Sequence, residues 1–154
     1  MVEQVALNHK VVGSNPSGPI TFKTTKIQIH FMNIKKAIIS GVILYALIFL
    51  LASALLFVVP NESVFGSIIV VIVAILTYLI AKNYYFKGMK ISNPIKEGLI
   101  LGIILVIIII IIEIPVMVYG FAVEQGWNYF TTWHILLGYI LTVVVPIFAA
   151  YKKK

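Results

Sequence analysis

The chain predicts an all-α integral membrane protein with four transmembrane helices, and three observations carry that expectation. Hydrophobic residues make up 61% of the 154 positions and charged residues 11%, with a mean hydropathy of +1.07. That is too apolar for a soluble domain of this length to hide inside one core. Four runs approach the roughly 20 apolar residues that a bilayer core requires. The lysines gather beside these runs rather than within them.

The expected spans are 37–59, 64–81, 98–120 and 130–150. "PNES" (60–63) joins the first two, with Pro60 and Asn61 stopping one helix and Asn61 or Ser63 placed to cap the next. Span three ends in "IIIIIIEIPVMVYG" (107–120), and "TTWHILLGYILT" (131–142) opens span four. Lys35 and Lys36, then Lys82, Lys87, Lys90 and Lys96, then Lys152, Lys153 and Lys154 all fall on one side of such a bundle. The opposite connections contain Glu62 and Glu124 and no lysine. The positive-inside rule therefore predicts a multi-pass plasma-membrane protein with both termini cytoplasmic. Aromatics agree, with Tyr119, Trp127, Tyr129 and Trp133 forming an outer belt and Tyr84, Tyr85 and Tyr151 at the inner interface.

Every basic residue is lysine and every acidic one glutamate, giving a formal net charge of +7. Arginine is the residue that reads guanine edges, so a nucleic-acid partner is not expected. The lysines are explained by topology, and the expected environment is the lipid bilayer. Without cysteine there is no disulfide framework and no thiolate ligand.

Residues 1–31 are polar, aperiodic and unlike a signal peptide, and are expected to be a non-native or disordered extension preceding a membrane domain of residues 32–154. Back-translated, "GSNP" fits a transfer-RNA T-arm and "VEQ" a D-arm. "VALNH" gives a four-pair stem around a seven-base loop centred on a lysine anticodon. A tRNA gene read through in frame would put the native start at Met32.

"NIKKAIISGVIL" (33–44) aligned with "PIKEGLILGIIL" (94–105) matches Lys35 with Lys96 and Gly41 with Gly102. The four spans therefore read as two tandem helical hairpins, a parallel internal repeat. The register places Ala37 with Gly41 and Gly98 with Gly102 as small-residue pairs that let helix backbones approach in lipid. Gly138 is assigned to the same packing role on span four.

Glu113 is the candidate site. A charge at the centre of a span costs about 2.5–3.5 kcal/mol on insertion scales, so a partner is expected. Eleven residues beyond Gly102 returns to nearly the same helix face, which points Glu113 along the glycine seam. His134, Gly138 and Thr142 recur every fourth residue, and His134 reaches a similar depth, making it the expected partner. One glutamate and one intramembrane histidine do not make a metal site, and no cofactor or enzymatic machinery is expected. The leading reading is a small multi-pass membrane protein to which the sequence assigns no biochemical role, with the Glu113–His134 pair either a structural clamp or a proton- or cation-accepting site. The alternatives are a proton-coupled small-molecule or cation transporter acting as a homo-oligomer around Glu113, and a non-catalytic accessory subunit docking a membrane partner protein. The size, four spans and lone intramembrane glutamate are similar to the small multidrug-resistance exporters. Their glutamate lies in the first span and their surrounding motif is absent here, so no family follows.

Overall fold

A computed structural model describes residues 33–121 and 126–153. The expectations for residues 1–31, for Met32 as the start and for Glu124 lie outside the described residues. Among those described, every regular element is helical. Helix α1 spans Ile34–Leu56, α2 Glu62–Ile80, α3 Pro94–Glu113 and α4 Trp133–Tyr151. All four are long and apolar enough to cross a membrane. Large apolar side chains such as Leu50, Val71, Ile107, Ile111, Ile140 and Phe148 point away from the bundle, as they must where the surrounding solvent is lipid.

Three helices start by the same device. Asn33, Asn61 and Asn93 each accept a hydrogen bond from the backbone N–H three residues on, at Lys36, Val64 and Lys96 (3.0, 3.2 and 3.1 Å). Each thereby satisfies a donor that the first turn leaves orphaned. At α3 Pro94 follows the cap, where its missing N–H costs nothing, and Glu97 reaches back to accept from the Ser92 backbone at 3.1 Å. These caps sit one residue out of the alignment that pairs Asn33 with Pro94.

The observed ends differ from the expected spans for local reasons. Span three is α-helical only to Glu113 and continues as a wide π turn over Ile114–Phe121. Pro115 lies inside that turn, lacks an N–H and obstructs the regular i to i−4 ladder. Span four begins at Trp133 rather than 130, because a 3-10 turn occupies Gly126–Thr131. There Thr131 Oγ1 donates to the Asn128 carbonyl (2.8 Å) and Thr132 Oγ1 to that of Tyr129 (2.7 Å). Side chains that bond to nearby backbone in this way compete with the helix. A second π turn, Ala81–Tyr85, ends the second span.

Each helix has two neighbours: α1 packs on α2 and α3, and α4 packs on α3 and α2. The hairpins α1–α2 and α3–α4 thus lie side by side. Lys36 Nζ donates to the Lys87 carbonyl at 3.2 Å, which ties the start of α1 to the segment after α2. Around this lysine-bearing end lies the core, with Ala37, Tyr85, Phe86, Leu101, Ala149 and Ala150 buried.

Glycine sets the closest helix contact. A Cβ added at Gly98 would lie 2.5 Å from Ile147 Cα, and one at Gly102 would lie 2.6 Å from both Val143 Cα and the Val143 carbonyl. Only a missing side chain lets α3 and α4 meet backbone to backbone here. Pro146 in α4 cannot donate to the Thr142 carbonyl, and that carbonyl faces Gly102. The α1 glycine contacts something else: a Cβ on Gly41 would lie 2.9 Å from the Ile108 side chain of α3. Gly138 corrects the expected packing role, since a Cβ there meets nothing within 4 Å. It faces open space because α4 borders a cavity at that level.

Candidate functional site

The cavity, about 440 Å³, is partly open and is lined by residues of all four helices toward the end opposite the lysines. Its lining runs from Pro60, Glu62 and Thr132 at the connections to Val73, Ile109 and Thr142 deeper in the bundle. Most of the wall is apolar, including Ile48, Ala52, Phe65 and Ile69. Ala52 occupies the position in α1 that aligns with Glu113 in α3, so the first helix leaves space where the third presents a carboxylate.

Glu113 is the last residue of α3 and is only 7% exposed. Both carboxylate oxygens are bound: Tyr129 donates to Oε1 at 2.8 Å and Tyr139 to Oε2 at 2.5 Å. Tyr129 comes from the 3-10 turn and Tyr139 from α4, so one side chain connects three elements. Because side chains lean toward the N-terminus of their own helix, Glu113 and Tyr139 lean toward each other across the antiparallel pair. Burial first, and then the charge of Glu113, push the Tyr129 phenol above its ordinary range and keep it a donor.

His134 is therefore not the partner expected of it. Tyr139 lies five residues on, about 140° around the helix, so the two side chains cannot both face α3. The imidazole instead lies on Gly66 of α2, where a Cβ would come within 3.1 Å of Nδ1. That nitrogen is buried with no hydrogen-bond partner. Thr142 lines the cavity, but its hydroxyl donates to the Gly138 carbonyl at 2.9 Å, within its own helix. Among the described residues no three His, Cys, Asp or Glu side chains are grouped as metal ligands.

A third tyrosine completes the cluster. Tyr45 of α1 lines the same cavity, is 9% exposed, and its hydroxyl is buried without a partner. Its ring stacks on Phe49 with centroids 6.1 Å apart. A buried hydroxyl left unpaired costs about 1–3 kcal/mol. Mid-span tyrosines are the signal that helical periodicity alone overlooks, because each carries a hydroxyl that lipid cannot satisfy.

No known protein family, curated protein or solved structure matches the chain. What the site can do must be read from its own geometry.

Proposed function

We propose that this four-helix membrane protein binds a small organic cation with an apolar body in the cavity, holds its charge on Glu113, and passes it across the bilayer in exchange for protons. One observation carries the reading: a carboxylate buried inside a bilayer-spanning bundle, on the wall of an apolar cavity, with phenols but no cation bonded to it among the described residues. Ionisable groups at such depth mark substrate and proton pathways in membrane proteins. A carboxylate can hold a proton or a cation, which is what exchange requires. Ion-pair stabilisation is strong in a low-dielectric cavity, and the apolar wall suits the rest of the ligand. All four helices of one chain contribute to the cavity wall.

We place the protein in the plasma membrane with both termini and the Lys82–Lys96 segment cytoplasmic, following the lysine distribution. Cysteines introduced at Ser63 and Asn128 should then react with a membrane-impermeant reagent in intact cells, while one at Ser92 should not. The reverse labelling pattern would overturn the orientation.

Transport is tested in proteoliposomes. An imposed pH gradient should drive flux of 4-phenylbutylamine through wild-type protein, and Glu113→Gln should reduce it to the level of empty liposomes. Equal flux through the variant would refute the exchange role.

A second reading rests on the two tyrosine hydrogen bonds. By joining α3, the 3-10 turn and α4, Glu113 also serves as the structural clamp, and the two roles are compatible.

A further inference from the structure

Tyr45 shares the cavity wall with Glu113, and the fold makes no use of its hydroxyl. Its hydroxyl is buried and unpartnered while its ring is held against Phe49 on the cavity wall. Of the other buried, unpartnered side-chain atoms among the described residues, the hydroxyls of Thr77 and Tyr85 do not line the cavity, and His134 Nδ1, on a residue that does, is turned onto Gly66 of α2. Glu113 has capacity left as well. An ionised carboxylate offers about four lone-pair sites, and the phenols of Tyr129 and Tyr139 occupy one on each oxygen. Tyr45 and Glu113 line the same cavity, from α1 and α3 respectively, so one ligand there faces both the hydroxyl and the carboxylate.

We infer that the Tyr45 hydroxyl selects among cations: it accepts a hydrogen bond from a protonated primary or secondary amine whose charge rests on Glu113. The inference depends on the cation-binding reading above and narrows its ligand class. An ammonium with two or three N–H groups can donate to a free lone pair of Glu113 and to Tyr45 Oη together. A quaternary ammonium of the same skeleton has the charge but no N–H, and leaves the hydroxyl unpaired. Sites built to hydrogen-bond a ligand group discriminate against analogues that lack it, because the protein's own buried partner is stranded. Ile48, Ala52, Phe65 and Ile69 receive the apolar remainder of the ligand.

Calorimetric titration of the full chain in mild detergent near neutral pH tests this with two probes, 4-phenylbutylamine and its N,N,N-trimethyl analogue. Wild-type protein should bind the amine about tenfold more tightly than the trimethyl compound, the equivalent of one hydrogen bond. Tyr45→Phe should weaken the amine about tenfold and leave the trimethyl compound within twofold. The ligand-free melting temperature should not fall, since the substitution deletes an unpaired buried group. Equal wild-type affinities for the two probes, or a variant that weakens both or neither, would overturn the role of Tyr45 while leaving cation binding standing. A drop of several degrees in the ligand-free variant would also overturn it, by revealing a structural use for the hydroxyl. Failure of folded wild-type protein to bind either probe would remove the cation-binding reading and this inference with it.

Discussion

Gly98→Ala is expected to destabilise the protein by about 2–3 kcal/mol, the upper part of the range for overpacking a tight contact. The new Cβ would fall 2.5 Å from Ile147 Cα and 2.7 Å from its backbone nitrogen. Both are main-chain atoms of a regular helix, so no rotamer change can make room. Gly102→Ala should behave similarly, since it meets the Val143 backbone at 2.6 Å. Gly138→Ala is the control. It meets nothing within 4 Å, and alanine favours helix over glycine by about 1 kcal/mol, so it should be neutral or slightly stabilising. Equilibrium unfolding in mixed micelles measures all three. Equal stability of Gly98→Ala and Gly138→Ala would show that α3 and α4 do not meet at these glycines.

Glu113→Ala should cost about 2 kcal/mol in the same assay. The substitution strands two phenols, Tyr129 and Tyr139, that now donate to the carboxylate, and unpaired buried donors carry a penalty of about 1–3 kcal/mol. Glu113→Gln should retain most of the stability. Its carbonyl accepts from one tyrosine, and its NH₂ group can donate to the oxygen of the other. Equal losses from the two substitutions would mean that charge, not hydrogen bonding, holds the elements together.

The parts of the fold that depend on composition and spacing are legible in the sequence. Four apolar runs and the capping of α2 by Asn61 follow from chain-local rules, and Gly98 with Gly102 marks a close helix approach that does occur. Burial of Glu113 also follows, because the register from Gly102 fixes its face. Its partner does not. A pattern of every fourth residue groups His134 with Thr142, but which side of α4 meets α3 depends on tertiary packing, and Tyr139 lies on that side. Tyr129 is further hidden by its place in a turn, where aromatics read as interface anchors. The end of α3 illustrates a different limit. Pro115 signals a disturbance, but not that the chain meets it with a π turn over Ile114–Phe121.

The central claim is that Glu113 holds the charge of a ligand inside the bundle, and its most direct test compares 4-phenylbutylamine with the uncharged 4-phenylbutanol by calorimetric titration. Wild-type protein should bind the amine at least tenfold more tightly than the alcohol. Glu113→Gln, which keeps the fold, should bring the two ligands to within about threefold of each other, because the amide leaves the hydrogen bonding and removes the charge. An undiminished preference for the amine in Glu113→Gln would contradict the claim and place the recognition of charge elsewhere.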